Sequence, residues 1–140
     1  MRWYEYADNP KAITELYQEV PSLQGIHVIE VLLSGRGPYL SMKTDLPRFP
    51  DKLPPRWKIQ GYNSIHLQLD FWLLTSISLD GWTSENVVDI RIDSLEEKRV
   101  ALHVTSPYCN LEVVAHHFRI IIHKAVFLDE KGQVQPDELV

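Results

Sequence analysis

Residues 63–79 read NSIHLQLDFWLLTSISL, and this stretch decides which kind of fold the chain can form. Every odd position from Ile65 to Leu73 is apolar, and the even positions before Trp72 are polar. A period of two indicates a β-strand, because successive side chains of a strand point to opposite faces, whereas a helix repeats every 3.6 residues or so. The alternation is lost at Trp72 and Leu74, which predicts a central strand covered on one face first and on both faces towards its far end.

A proline-rich segment leads into this strand. Four prolines lie between Pro47 and Pro55. Each removes a backbone donor and restricts φ, so the segment is neither a helix nor a central strand. We predict an ordered, extended lead-in over Pro50 to Pro55, held in place by Trp57 packing inward.

A short N-terminal helix is predicted over residues 9–20. Asn9 can cap its first turn, and Pro10 already has a helical φ. Four apolar residues then recur at helical spacing, namely Ile13, Leu16, Tyr17 and Val20. A helix of about three turns is too short to be stable alone, so this stripe is expected to pack on the sheet.

The β core is predicted over about residues 25–127. Alternating segments joined by short turns predict two hairpins, the first over 26–45 and the second over 88–105. The apolar run from Leu111 to Phe127 is longer than most strands, so a break near His116 and His117 is expected to divide it in two. The predicted fold is mainly β, an antiparallel sheet or a sandwich of about seven or eight strands with the helix packed on it. Residues 1–140 form one predicted domain, with a polar tail over about 129–140.

Charge and composition limit the partners of the chain. Its 14 basic and 19 acidic residues give a net charge of -5, which argues against nucleic acid and favours a basic partner. No apolar run has the ~18 residues that a membrane helix needs, and the first residues do not resemble a signal peptide. The single cysteine excludes an internal disulfide and suits a reducing compartment. We expect a cytoplasmic protein that does not bind a membrane.

Neither a metal site nor a catalytic set emerges from the sequence. His116 and His117 point to opposite faces of a strand, and His123 lies about 20 Å along it from His117, so the three cannot share an ion. Cys109 lies in a turn without a following helix to lower its pKa or a known nucleophile motif around it. A small hydrolase using Cys109 and a histidine is the weakest of three functional hypotheses; the other two follow below. No cofactor is predicted.

Acidic and aromatic residues near the central strand are candidates for contacting a partner. Five of them are selected as partner-binding residues, namely Asp70, Asp80, Trp82, Glu85 and Asp89. A solvated sheet face is the simpler explanation of the acids, and a docking patch for a basic protein is the alternative. Four tryptophans also admit a second function, a carbohydrate- or small-ligand-binding β-domain, which would present exposed coplanar rings beside a cleft.

A family resemblance rests mainly on residues 46–93. It is carried by Phe49-Pro50-Asp51, Pro55-Arg56-Trp57, Gly61-Tyr62-Asn63, Leu67, Leu69, Phe71, Leu79, Gly81-Trp82 and Asn86-Val87-Val88-Asp89-Ile90. In these residues the chain resembles the immunity protein 50 family of bacterial polymorphic toxin systems. The matching positions look structural, and the family brings no catalytic signature.

The resemblance implies a small, mainly β, cytoplasmic protein. Such a protein would bind and neutralise a toxin domain encoded by a neighbouring gene. The chain itself is expected to be a monomer or a homodimer. This is the first hypothesis, and it assigns no enzymatic activity. It leaves the toxin unspecified, because immunity proteins can change targets on one scaffold.

Overall fold

Six antiparallel strands form a single sheet within residues 2–46, 64–84 and 86–126, the residues that the computed structural model describes. The strands are β1 (Ile26–Ser34), β2 (Tyr39–Leu46), β3 (Ser64–Asp80), β4 (Asn86–Ser94), β5 (Val100–Thr105) and β6 (Asn110–Val126). Their spatial order is β1-β2-β3-β6-β5-β4, and β4 pairs back onto β1, so the sheet closes into a barrel. The mainly β, antiparallel prediction is confirmed.

Bulges bend the long strands so that the sheet can close. The β1–β2 register shifts between Val28 and Glu30, which leaves Ile29 as the extra residue on β1. The β3–β6 register shifts between Leu74 and Ser76. A bulge bends its strand and increases its twist, and both are required to roll a sheet into a barrel.

The first half of β3 lies at the centre of the core, as its alternation predicts. Leu67, Leu69 and Phe71 are fully buried, and Phe71 pairs across the sheet with Phe118 of β6. The two rings stack with their centroids 5.1 Å apart. Because Phe118 is also fully buried, this aromatic pair lies inside the barrel.

The second half of β3 differs from its prediction. Residues 75–80 are exposed, and Ile77 and Leu79 have 40% and 49% of their surface accessible. β2 pairs with β3 only as far as Trp72, so the apolar residues beyond it are not covered on both faces. An apolar run shows which side chains a strand could bury. Here β2 ends at the level of Trp72, so the apolar residues of β3 beyond that point stay at least partly exposed.

The predicted strand count was too high. The described residues contain six strands, because β6 continues from Asn110 to Val126 without the expected break near His116 and His117. β3 is as long as β6 and pairs with it along its whole length. The bends required by barrel closure occur at bulges, so neither strand has to divide.

The predicted N-terminal helix is also shorter than expected. Only Lys11–Thr14 is α-helical, and Asn9 does not cap it. The Asn9 amide instead donates to the Ile120 carbonyl at 2.7 Å and accepts from the Ile120 N–H at 2.8 Å. The buried side chains of Ile13 and Tyr17 join the core, so the predicted packing on the sheet is confirmed although most of the helix is absent.

The N-terminal segment covers two strand edges of the barrel. The Asp8 N–H donates to the Phe118 carbonyl, which together with Asn9 covers β6 where β5 no longer pairs with it. On β4, the Ile90 N–H donates to the Leu23 carbonyl. These contacts satisfy backbone groups that would otherwise lie on open edges. The proline lead-in, Trp57 and the polar tail are predictions that lie outside the described residues.

Candidate functional site

An apolar cleft of about 530 Å³ lies between β1 and the second half of β3. It is lined by Ile29, Glu30, Val31, Leu33, Ile77, Leu79, Trp82 and Leu111. Ten large apolar side chains are exposed in the described part of the chain, and five of them line this cleft: Ile29, Leu33, Ile77, Leu79 and Trp82. Exposed apolar residues are unremarkable singly, but a contiguous group of them is typical of a binding surface.

The cleft exists because two strands lose their partners on the same side of the barrel. β1 pairs with β4 only as far as Val28, so no described strand pairs with its later residues on that side. β3 pairs with β2 only as far as Trp72. Cross-strand pairing puts Leu33 on the same face of the sheet as Leu40, and Ile77 on the same face as Val113. Leu40 and Val113 are both buried in the core. The walls of the cleft are therefore a continuation of the core face of the barrel.

The loop after β3 holds Trp82 at the end of this cleft. Asn86 is buried, and its side-chain oxygen accepts from the backbone N–H and the hydroxyl of Thr83, at 3.0 and 3.1 Å. Its amide donates to the Thr83 carbonyl at 2.6 Å. These three bonds fix the residue next to Trp82. The Trp82 side chain is 46% exposed, and ordering of the loop beside it lowers the entropy cost of binding there.

Two of the predicted acidic residues lie in one row on the outer face of the sheet. Direct cross-strand pairs connect Asp80 to Asn110, Asn110 to Thr105 and Thr105 to Asp89. Asp80 ends β3 beside the cleft, and the Asp89 carboxylate accepts from the Gly25 N–H at 2.9 Å. The row crosses four strands from the edge of the cleft and has an acidic residue at each end. Glu85 lies outside the described residues.

More charged side chains lie on the same outer face. Arg91 pairs with Asp93 at 3.0 Å, and His103 lies 3.5 Å from both Asp93 and Glu112. All of these pairs are partly or largely solvated, so each contributes little to stability. They leave the face with more acids than bases.

Asp70 lies away from these residues, on the outer face shared by β2, β3 and β6. It is only 8% exposed and accepts from the Gln68 amide at 2.8 Å, while Gln68 also contacts His123. Burial, followed by the charges of Lys43 and His66, lowers the pKa of His123. Asp70 therefore belongs to a polar cluster that links neighbouring strands, and the structure does not bring it together with Trp82.

Asp45 forms a second buried polar contact on this side. It is 2% exposed, and its Oδ1 lies 2.5 Å from Nδ1 of His66. Within the described residues this contact does not count as a hydrogen bond, and Oδ1 has no other hydrogen-bond partner. The contact joins adjacent strands β2 and β3.

The histidines do not converge. His117 pairs with Asp8 at 2.5 Å, His66 with Asp45, and His123 with Gln68. In the described ranges, no three His, Cys, Asp or Glu side chains are placed to hold a metal ion. Likewise, none of the helices there has the length and apolarity that a membrane crossing requires.

Cys109 is buried in the turn before β6. It is 3% exposed, and burial raises the pKa of its thiol. A nucleophilic cysteine needs the opposite shift, towards the thiolate, together with access to substrate. The environment of Cys109 is that of a packed thiol.

We predict that a chromogenic disulfide reagent modifies Cys109 slowly in the folded protein. At neutral pH the reaction should be at least about a hundredfold slower than in denaturant, because it requires an opening of the barrel. Absorbance of the released thiolate measures both rates. Fast modification of the folded protein at pH 7 would show an accessible, activated thiol, and the hydrolase hypothesis would have to be considered again.

The described tryptophans do not form a shared stacking surface. Trp3 is buried, and Trp72 packs on Tyr39 with ring centroids 4.6 Å apart. Only Trp82, among those described, is exposed beside a cleft. The coplanar exposed pair that a carbohydrate platform would present is not assembled from these three rings.

A larger, more polar pocket of about 660 Å³ lies between the N-terminal segment and β4. Its lining includes Trp3 and Tyr4, which are already buried in the core. It also includes charged residues of both signs, such as Arg2 and Asp93. This pocket lacks the exposed apolar side chains of the cleft, so the cleft is the better candidate for a binding surface.

The sequence identified Trp82 and Asp80 but missed the β1 wall of the cleft. Ile29 and Leu33 read as ordinary strand residues, because the sequence does not show that β4 leaves β1 after Val28. The loss of alternation at Leu74 was the available signal for the β3 wall, and it was interpreted as burial on both faces.

Comparison with known proteins gives one match. No curated protein and no solved structure is similar enough to match this chain. The family model for Immunity protein 50 matches residues 9–123, which span the N-terminal segment and all six strands almost to the end of β6. Since this match covers most of the chain, the protein belongs to the Immunity protein 50 family.

Proposed function

We propose that this protein is an immunity protein that binds a cognate bacterial toxin domain and neutralises it by direct contact. The observation that carries the proposal is the family match over residues 9–123. The partner is a toxin domain encoded by a neighbouring gene, and the complex forms in the cytoplasm with one-to-one or two-to-two stoichiometry. The protein acts by occupying the toxin and not by catalysis.

The cleft and the acidic row support binding of a protein partner. Trp82 is a half-exposed aromatic residue at the end of an apolar cleft, and tryptophan is among the residues that dominate binding energy in protein interfaces. Asp80 and Asp89 lie in the adjoining row and would attract a basic partner over a longer range. We propose these three as contact residues.

Co-expression tests the proposed function. Cells that make the toxin encoded by the neighbouring gene should die without this protein and survive with it, because a bound toxin cannot reach its target. Colony counts and growth curves measure survival, and size-exclusion chromatography of the purified pair should show one complex. Equal killing with and without the protein would refute the proposal.

Two controls make this result specific. An immunoblot of both proteins must show that toxin levels are the same in the two strains, so that survival reflects neutralisation. A toxin from an unrelated system should kill equally in both strains. Protection against that unrelated toxin as well would contradict direct, cognate recognition.

A further inference from the structure

We infer that the cleft between β1 and β3 receives an extended segment of the toxin, which adds to the edge of β3 as a further strand. Its apolar side chains would point into the cleft, and basic residues would flank them. This inference rests on the proposed function, because it names the surface through which the toxin is held. It goes further by stating the form and the chemistry of the segment that binds.

The first reason is that these edges are uncovered. The N-terminal segment pairs with the open parts of β6 and β4 through Asn9, Asp8 and Leu23. Among the described residues, no strand pairs with β1 beyond Val28 on its β4 side, or with β3 beyond Trp72 on its β2 side. Unpaired edges are avoided in soluble proteins because they invite a new strand. An edge left open beside apolar residues suits strand addition.

The edge of β3 is the more regular of the two. From Ser76 to Asp80 it pairs with β6 in unbroken register, after the bulge that precedes Ser76. The β1 edge begins with the bulged Ile29, and bulges disfavour further pairing. Five regular residues extend about 16 Å, which is enough to pair with a short strand. We therefore place the added strand on β3.

The second reason is the match between strand geometry and the cleft. Alternate residues of an added strand would point to the core face, where Leu33, Ile77 and Leu79 are exposed. The end of the strand would meet Trp82, whose neighbour Thr83 is bonded to Asn86. Backbone hydrogen bonds would supply affinity, and these apolar contacts would select the sequence of the segment.

The third reason is charge, which favours a basic partner over a second copy of this chain. The one charged residue among those lining the cleft is Glu30, which pairs loosely with Lys43 at 3.5 Å, and Asp80 lies at the end of β3. Two copies meeting here would bring Glu30 and Asp80 of each close to those of the other, with a net charge of -5 on each chain. A basic toxin segment would instead gain attraction at the same positions.

The cleft lies far from the points where residues 47–63 and 127–140 join the described chain. Leu46 pairs with Ile65, and Ser64 pairs with Val126, so these three junctions meet at the opposite end of β3. Ile65 and Ile77 are twelve residues apart on the strand, roughly 40 Å. A loop over the 17 residues 47–63 could not cover that distance and return, since an extended chain spans at most about 3.6 Å per residue, and this favours a separate polypeptide as the occupant.

A matched pair of variants tests this surface. Leu32 and Leu33 are neighbours on β1 with 46% and 59% exposure, and only Leu33 lines the cleft. Leu33→Lys should weaken binding of the toxin domain by about 10- to 100-fold, because it places a charge in the cleft and repels basic flanks. Leu32→Lys introduces the same charge one residue away on the other face and should change binding by less than about threefold. Isothermal titration calorimetry or surface plasmon resonance measures both affinities, and circular dichroism shows that both variants are folded.

Hydrogen exchange on the wild-type protein with and without the toxin domain tests the strand itself. Within residues 76–80, the amides that face the open edge and not β6 should exchange at least about tenfold more slowly in the complex, because added backbone bonds must break first. Protection confined to backbone amides of β4 and β5, with equal affinities for the two variants, would overturn the cleft proposal. It would leave the proposed function intact, provided that the wild type still neutralises the toxin.

Ultracentrifugation of the protein alone tests the other occupant. We expect Leu33→Lys to leave the oligomeric state unchanged. If the wild type is a dimer that Leu33→Lys dissociates, the cleft binds a second copy and the toxin-strand proposal is wrong. A wild-type protein that neither binds nor neutralises the toxin would overturn the proposed function and this inference together.

Discussion

Replacing Phe71 by alanine is expected to lower the free energy of unfolding by about 3–5 kcal/mol. Phe71 is fully buried, and its ring stacks on Phe118 across the β3–β6 pair. Removing it leaves a cavity in the middle of the barrel. Because β3 is paired with β2 and β6 at this point, the backbone can move little to fill that cavity. Urea unfolding followed by tryptophan fluorescence measures the change.

Val87→Ala is the control for this prediction. Val87 lies on β4 with 55% of its surface exposed, so its truncation should cost less than about 1 kcal/mol. A double-mutant cycle with Phe118→Leu should give a coupling of about 0.5–1.5 kcal/mol for the stacked pair. If Phe71→Ala costs no more than Val87→Ala, the first half of β3 is not the centre of the core.

Replacing Gly81 by alanine is expected to cost at least about 2 kcal/mol. Gly81 has φ of +84°, a backbone angle that residues other than glycine rarely adopt. A Cβ atom there would lie 2.2 Å from the carbonyl oxygen of Tyr108, so the loop before Trp82 or the turn before β6 would have to move. The variant should also bind the toxin domain less tightly, since Trp82 would shift.

Two other glycines separate the contributions of conformation and space. Gly25 has φ of +63° with open space around it, so Gly25→Ala should cost about 1 kcal/mol for the left-handed conformation alone. Gly35 has open space and no positive φ, so Gly35→Ala should stay within about 0.5 kcal/mol. Equal costs at positions 81 and 25 would mean that the contact with Tyr108 relaxes freely.

The first half of β3 was predictable because its signal is local. Alternation places Leu67, Leu69 and Phe71 on one face whatever the rest of the chain does. The same rule identified the strands of both hairpins, and β4 and β5 form over nearly the residues predicted for them. These parts of the fold follow from a repeat of two residues and from turns that join neighbours in sequence.

The N-terminal residues show where a local signal loses to a tertiary contact. Asn9 and Pro10 are good residues for starting a helix, and the apolar stripe that follows has helical spacing. In the structure, Asn9 makes two bonds to the backbone of Ile120, a residue more than a hundred positions away. Satisfying an open strand edge outweighs a marginal helix of a few turns.

The candidate site was predictable only in part. Trp82 and Asp80 stand out by residue type, and both lie at the cleft or its edge. Asp70 was chosen on the same grounds but is buried in a polar cluster on a different part of the outer face. Residue type identifies what can bind a partner, whereas exposure depends on which strands pack beside it.

The sequence by itself determined a mainly antiparallel β protein, the burial of the first half of β3 and the resemblance to a toxin-immunity family. Only the tertiary structure decided that the sheet closes as a barrel, that β6 stays whole and that Leu33, Ile77 and Leu79 share an open cleft. Periodicity specifies which side chains of one strand share a face. It contains no information on how far the neighbouring strand extends, and that length decides whether an apolar face becomes core or binding surface.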